Sequence, residues 1–316
     1  MLCWINCLAY AIGYFVIGLV AVKFGFYVQR TFFRKGYDVH ERYGKDSWIL
    51  ITGATAGIGL ALAKYSAKVK GLNVVLLGRN QEKLDAAEKE VKAANPKIKT
   101  KTYKFDFTKN SGHESYLKIS EDLKDLDISM LVNNAGVQEM RPILTLEEEA
   151  MENLTLLNIN GLSLLTLIFA KRFAKRDKRS AIVNVASQAG YAPLPGNAPY
   201  GASKAFVRSL TKAVGYELRD KIDMLCFSPG FVTTDLCCFK EGPDVVSPDD
   251  CAPCIFRDLG YETENQPCSI HEFVVFIVPP ILLINENLPN LMLDPLTKDE
   301  FNRMEEIRSK ENKKDS

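Results

Sequence analysis

Short apolar runs rich in β-forming residues, each followed by enough chain for a helix, constrain this sequence more than any other feature. Trp48 to Thr52, Asn73 to Leu77, Lys101 to Phe105, Ile128 to Val132, Ala181 to Val185 and Ile222 to Phe227 are such runs. A helical pattern follows the first from Gly57 to about Lys70, and a charged one follows the second to about Ala94. Strands with one wet face alternate apolar with polar residues, whereas continuous apolar strands are covered on both faces. Strands separated by helical crossovers run parallel, so the expected fold class is α/β, a doubly wound parallel sheet. A chain of 316 residues with 47% hydrophobic content fills one such domain and leaves appendages at its ends.

The amino-terminal appendage is apolar. Residues 2–22 carry no charge before Lys23, and as a helix they would reach about 32 Å, against about 30 Å for a hydrocarbon core. Residues 1–22 are therefore expected to form a transmembrane helix. A secretory signal is the alternative, but it calls for a basic leading region and a small-residue cleavage site, and neither precedes Lys23. Lys23, Arg30, Arg34 and Lys35 follow the span, which puts the rest of the chain in the cytosol and the amino terminus in a lumen. Residues 23–46 read as a juxtamembrane linker, 47–260 as the catalytic domain and 261–316 as an apolar membrane-associated or substrate segment with a charged tail.

Beyond Pro229 the alternation breaks. The stretch from Cys237 to Tyr261 is long enough to be a lid or substrate loop. Phe273 to Ile284 is apolar but would span only about 18 Å as a helix, and Pro279-Pro280 is expected to interrupt it. That segment is a buried wall or an interfacial membrane segment, and the anchor favours the second. From Lys298 onward the chain is charged and reads as an exposed helix and tail.

Net charge is +1 with acids and bases interspersed, so nothing points to nucleic acid, and small molecules are the expected partners. Cys3, Cys7, Cys226, Cys237, Cys238, Cys251, Cys254 and Cys268 form no disulfide framework and suit a reducing compartment. Cys251-Ala-Pro-Cys254 has metal or redox spacing. It lacks a second pair, and the histidines are His40, His113 and His271, so packing is the better reading and no metal is expected.

Chemistry enters at the strand ends. Thr52-Gly53-Ala54-Thr55-Ala56-Gly57-Ile58-Gly59 lies where the first strand meets the first helix, and its small residues permit a tight turn and close backbone approach. The helix N-terminus then offers N–H groups and partial positive charge to a pyrophosphate, making Gly53, Thr55, Gly57, Ile58 and Gly59 cofactor candidates. An acidic residue at the end of the second strand would hold an adenosine ribose. Here Gly78-Arg79 stands instead, and a guanidinium that pairs with a 2′-phosphate favours NADP(H) over NAD(H). Asp106, after the third strand, is placed to accept from an adenine amino group or to serve as a cap. Downstream, Tyr200-Gly-Ala-Ser-Lys204 puts a phenol and an ammonium at i and i+4 on one helical face, with Ser187 thirteen residues before the tyrosine. A neighbouring cation favours phenolate and makes the tyrosine a usable general acid or base at neutral pH.

With T-G-x-x-x-G-x-G, Asn133-Asn134-Ala135-Gly136 after the fourth strand, Ser187 after the fifth and Tyr200-x-x-x-Lys204, the chain resembles the short-chain dehydrogenase/reductase family from about Ser47 to Leu236. The resemblance implies a Rossmann-like fold with Asn134, Ala135 and Gly136 beside the cofactor. It further implies Tyr200 as acid/base, Ser187 on the substrate oxygen, and Lys204 on both the tyrosine and the nicotinamide ribose. Asn158 in Leu157-Asn158-Ile159-Asn160-Gly161 matches the family's Asn-x-x-Gly and would hold a relay water, with Asn160 its near neighbour. Val232 and Thr234 after Pro229-Gly230 look like the loop that grips the nicotinamide carboxamide. More narrowly, the chain is similar to membrane-bound very-long-chain 3-oxoacyl-CoA reductases and related 17β-hydroxysteroid dehydrogenases. That similarity rests on the anchor and basic linker, on Val245-Val246-Ser247-Pro248 leading to His271, and on the apolar stretch after it.

Those relatives imply NADPH-dependent reduction of a lipid carbonyl at the endoplasmic reticulum membrane, most of all a 3-oxoacyl-CoA of fatty acid elongation. Ketosteroids, retinoids and 3-ketosphinganine are alternative substrates. A homodimer and contacts with other elongation enzymes are possible partners on the same ground. Lys313-Lys314 near the end has the form of a dilysine retrieval signal, which requires a cytosolic tail. A catalytically inactive membrane scaffold is the competing class, and the intact Tyr200 and Lys204 weigh against it.

Overall fold

The computed structural model describes residues 2–110, 112–237, 242, 244–284 and 302. The charged tail from Lys298, apart from Asn302, and the Lys313-Lys314 pair lie outside the described residues. The chain divides into two compact units, residues 1–36 and 37–316.

The first unit is helix α1 (Leu2–Val28), which continues as a π-helical turn over Gln29–Phe33. It extends beyond the boundary set at residue 22, because lysine is a good helix former and Lys23 does not stop it. Tyr10–Phe33 is long and apolar enough to cross a membrane, with a mean hydropathy of 1.9 and none of that window buried. Tyr14, Phe15, Ile17 and Phe26 all stand exposed, so apolar side chains cover the helix all round.

The second unit starts at residue 37, ten residues before the expected body. Asp38 caps the short helix α2 (Val39–Tyr43) by accepting from the backbone N–H groups of His40 and Glu41 at 2.8 and 3.1 Å. Arg42 then donates two hydrogen bonds to Asp223, at 2.6 and 3.0 Å, and the Tyr43 hydroxyl adds a third at 2.8 Å. Arg179 closes the same carboxylate from the other side at 2.7 Å. Residues 37–44 read as linker because their anchor is remote in sequence, yet they are part of the body.

The sheet has seven parallel strands in the order β3-β2-β1-β4-β5-β6-β9. In chain order they are β1 (Trp48–Thr52), β2 (Asn73–Gly78), β3 (Thr100–Lys104), β4 (Ile128–Asn133), β5 (Ser180–Val185), β6 (Ile222–Phe227) and β9 (Glu264–Asn265). Strands β1, β2, β4, β5 and β6 are buried along their whole length, as their unbroken apolar runs require. Strand β3 lies at an edge and is only partly buried, which is why its sequence, Thr-Lys-Thr-Tyr-Lys, is the most polar of the early strands. The crossovers are α3 (Gly57–Lys68), α4 (Gln81–Ala94), α5 (His113–Asp122), α6 (Glu148–Thr155), α7 (Leu162–Phe173) and α8 (Ala198–Leu218). Leu62 and Val91 belong to the core on one face of the sheet, and Tyr116, Leu165 and Phe169 to that on the other.

The segment read as a lid or loop is more regular than expected. It contains strand β8 (Val245–Val246), paired in parallel with β7 (Phe231–Val232), and helix α9 (Pro248–Asp258). Ser247-Pro248-Asp249-Asp250 starts that helix with proline in the first turn, and Asp250 Oδ2 accepts from the Ser247 N–H at 3.1 Å. Cys251 is buried on α9, where burial pushes its thiol pKa up, and the Cys254 thiol meets the Pro267 carbonyl at 3.2 Å. Helix α10 (Ser269–Ile284) begins before the apolar run and passes through Pro279-Pro280 without the expected interruption.

Candidate active site

The strand order reverses between β1 and β4, so the loops leaving their carboxyl ends diverge and leave a crevice. A cavity of about 460 Å³ occupies it, lined by the residues that follow β1, β4, β5 and β6.

The β1–α3 turn forms one wall. Gly53 and Gly57 have φ of 63° and 53°, values that favour glycine. A Cβ on Gly53 would sit 2.9 Å from the Ala135 Cα, one on Gly57 would sit 2.9 Å from Thr234, and one on Gly59 would lie 2.3 Å from the Gly53 carbonyl. The turn thus needs all three glycines to lie flat under β4. Ala56, the residue before α3, offers no side-chain cap, so the first N–H groups of that helix keep their capacity for an anion. Gly53, Gly57 and Ile58 line the cavity, whereas Thr55 and Gly59 support it from outside.

The β4 end forms the next wall. Thr52 Oγ1 accepts from the backbone N–H groups of Asn134 and Ala135 at 2.9 and 3.0 Å, and Asn134 Nδ2 donates to the Thr52 carbonyl at 3.0 Å. The Asn-Ala-Gly end of β4 is thereby locked to the glycine turn, with Asn134, Ala135 and Gly136 facing the cavity. Asn158 sits on a π-helical turn (Leu156–Gly161) between α6 and α7. Its side chain clamps Val137, accepting from the N–H at 2.9 Å and donating to the carbonyl at 2.8 Å, and donates to Ser203 at 3.2 Å. It lies behind the cavity wall, so its amide positions the β4 loop.

Tyr200 and Lys204 come from the first turns of α8, and Ser187 from the loop after β5. Gly190 lets that loop lie on α8, since a Cβ there would meet the Ala205 backbone N at 2.7 Å. Lys204 is buried; its Nζ donates to the Val185 carbonyl at 2.9 Å and lies 5.5 Å from the centre of the Tyr200 ring. Burial in this dry wall lowers its pKa from 10.5 to about 8. A second tyrosine lines the cavity, and its surroundings are opposite. Tyr191 donates to Glu264, and burial together with that carboxylate pushes its pKa far up. Burial alone would raise the Glu264 pKa, but bonds from Arg208, Lys212 and Tyr191 outweigh it and hold the group ionised. Of the two phenols, that of Tyr200 stands beside an ammonium, and that of Tyr191 is held neutral by burial and a carboxylate.

Val232 and Thr234 lie in the cavity wall. Arg79 is exposed directly after β2, and Asp106 Oδ1 is engaged by the Thr108 N–H and hydroxyl at 3.1 and 2.8 Å; neither lines the cavity. Sequence reasoning missed His271 as a site residue. It is buried at the start of α10, where Nδ1 accepts from the Gly230 N–H at 3.3 Å, Nε2 donates to the Asp244 carbonyl at 2.8 Å, and its own carbonyl accepts from Gln188 at 2.7 Å. One residue thus fastens α10 to the Ser187 loop, to the Pro229-Gly230 loop and to the β8 segment. Burial lowers its pKa, so it stays neutral. Gly230 is required beneath it, because a Cβ there would meet the imidazole at 2.6 Å.

A family profile described as short chain dehydrogenase matches residues 47–240. The chain is 34% identical over 245 residues to a very-long-chain 3-oxoacyl-CoA reductase of Schizosaccharomyces pombe, covering 72% of this chain and 70% of that protein. It is 39% identical over 176 residues to the same-named protein of Coccidioides immitis, covering 55% of this chain and 50% of that one. A human relative, inactive hydroxysteroid dehydrogenase-like protein 1, is 36% identical over 202 residues, with 63% and 59% covered. The chain therefore spans between half and 70% of the length of these relatives. Among solved structures, a 7β-hydroxysteroid dehydrogenase superposes with a TM-score of 0.68 at 27% identity, covering 76% of this chain and 93% of that one. A short-chain dehydrogenase from Sphingobium yanoikuyae in complex with NADPH gives a TM-score of 0.65 at 26% identity, covering 75% and 95%.

Proposed function

Because this chain belongs to the short chain dehydrogenase family, we propose that it is an NADPH-dependent reductase of a lipid carbonyl, with a long-chain 3-oxoacyl-CoA as its substrate. The observation that carries the reading is the buried Lys204 ammonium 5.5 Å from the Tyr200 ring, in one cavity with Ser187 and an uncapped glycine turn. When bound, the nicotinamide supplies the hydride that reaches the carbonyl carbon. Tyr200 gives its hydroxyl proton to the carbonyl oxygen as charge develops there, Ser187 orients that oxygen, and Lys204 stabilises the phenolate left behind. The glycine turn fits a pyrophosphate, since its backbone approaches closely only where side chains are absent.

Arg79 supports NADPH, as it is an exposed cation at the end of β2 where a 2′-phosphate would need one. Arg79→Asp is expected to lower the NADPH-to-NADH ratio of kcat/KM by about 10- to 100-fold, the worth of one charge-assisted pair. An unchanged ratio would remove Arg79 from the site. Apolar side chains of Leu194, Leu236, Val274 and Val275 in the cavity wall support a long acyl chain, and so do the relatives named for such substrates. The apolar helix α1 and the basic residues after it support attachment to the endoplasmic reticulum membrane with the body in the cytosol. Membrane fractions carrying the protein, supplied with NADPH, should oxidise it faster with long-chain 3-oxoacyl-CoAs than with ketosteroids, retinal or 3-ketosphinganine. Turnover of one of the other carbonyls alone would move the substrate assignment to it, and no turnover of any would favour an inactive scaffold.

A further inference from the structure

Helix α10 contributes one apolar wall of the cavity through Val274 and Val275. These residues stand three and four positions after His271, so all three share one helical face. Another wall carries Val232 and Thr234, which follow Gly230. His271 reaches that second wall by two routes. Its Nδ1 accepts from the Gly230 N–H at 3.3 Å, directly before strand β7. Its Nε2 donates at 2.8 Å to the carbonyl of Asp244, directly before strand β8, and β8 is held to β7 by the Thr233 N–H, which donates to the Val246 carbonyl at 2.9 Å. The imidazole is 1% exposed and uses both nitrogens, one as acceptor and one as donor. Neither wall shifts relative to the other without leaving buried polar groups unmatched, which is costly.

We propose that His271 is a positioning residue that couples the acyl chain to the cofactor: a long chain seated against α10 and NADPH seated against the 230–234 loop each tighten the binding of the other through this imidazole. The inference rests on the substrate and cofactor reading given above and deepens it. A ligand packed against Val274 and Val275 fixes α10, and His271 carries that placement to Gly230 and to the β7–β8 pair. The cofactor then meets a loop whose ordering is already done. Such coupling is reciprocal, so bound NADPH improves acyl binding by the same factor. An acyl group too short to pack against α10 gains none of it, and the loaded protein thereby selects for chain length.

The test titrates the full-length protein in lipid nanodiscs with NADPH, followed by nucleotide fluorescence, alone and with saturating palmitoyl-CoA, which has no 3-oxo group to reduce. Palmitoyl-CoA is expected to lower the NADPH Kd by about 5- to 10-fold, and acetyl-CoA to change it by less than about twofold. In His271→Ala and His271→Gln the palmitoyl-CoA effect should fall below about twofold. His271→Asn can place Oδ1 where Nδ1 accepts from the Gly230 N–H, so it should keep a factor of at least about threefold. A histidine that only stabilised the fold would change the melting temperature without separating asparagine from glutamine. No change of the wild-type NADPH Kd with palmitoyl-CoA bound would overturn the proposal. So would equal tightening by acetyl-CoA, coupling that survives in His271→Ala, or equal loss in the asparagine and glutamine variants. Failure of palmitoyl-CoA to bind the wild type, checked by calorimetry, would instead overturn the acyl-CoA reading, and failure of NADPH to bind would overturn the cofactor reading.

Discussion

Tyr200→Phe is expected to lower the turnover number by about 100- to 10,000-fold while NADPH binding, followed by fluorescence, stays within about threefold of wild type. The magnitude is that of a positioned general acid, and a phenylalanine keeps the ring while removing the hydroxyl that carries the proton. The ring is 7% exposed and already packed in the cavity wall, so the same volume is filled. Hydride arrival at the carbonyl carbon would generate an alkoxide with no donor, since the other phenol in the cavity is tied to Glu264 and held neutral by burial. Turnover within tenfold of wild type would remove Tyr200 from the acid's role. The relative named inactive makes this measurement the one that separates an enzyme from a scaffold, because fold and cofactor turn alone permit either.

Most of the sheet was legible because its strands are buried on both faces and therefore written as unbroken apolar runs. Strand β9 was not. It is two residues, Glu264 and Asn265, whose polarity belongs to the Arg208–Lys212 and Asp258 contacts they make, and nothing in a short polar pair signals a seventh strand. The start of the body was misplaced for a similar reason, as Arg42 and Tyr43 meet Asp223 across 181 and 180 positions. In contrast, the start of α9 was written in Ser247-Pro248-Asp249-Asp250 and could have been read. The cavity gathered Gly53, Gly57, Ser187, Tyr200 and Lys204, whose spacing follows strand ends. Asn158 stands behind the wall because a residue's rank along the chain does not say which way its amide turns. His271 gave no local signal, since its three partners come from separate loops.

Lys204→Met is expected to divide stability from activity. In the cofactor-free protein the ammonium keeps its proton only up to about pH 8, whereas in the unfolded chain it keeps it to about 10.5. Between those values the unfolded state binds more protons, so stability rises with pH there. Below about pH 8 both states are protonated and the folded protein carries the full cost of the buried cation, about 3 kcal/mol. Methionine fills a similar shape without charge. It leaves the Val185 carbonyl without its 2.9 Å partner, an offset of about 1 kcal/mol, so a net gain of about 1 to 2 kcal/mol remains at neutral pH. The variant's melting temperature should exceed that of wild type at pH 7, and the gap should close as pH approaches 10.5. Turnover should nevertheless fall by at least about 100-fold, because the phenolate of Tyr200 loses its neighbouring cation. The wild-type kcat/KM for NADPH should decline as pH rises through about 8, where the free protein loses that charge. A variant that is less stable than wild type at pH 7 would mean that the cation is compensated within the fold. A variant active within tenfold would mean that the tyrosine does not need it. The opposite signs expected for stability and turnover follow from one cause: the wall that excludes water from Lys204 makes its charge costly at rest and effective beside the reacting oxygen.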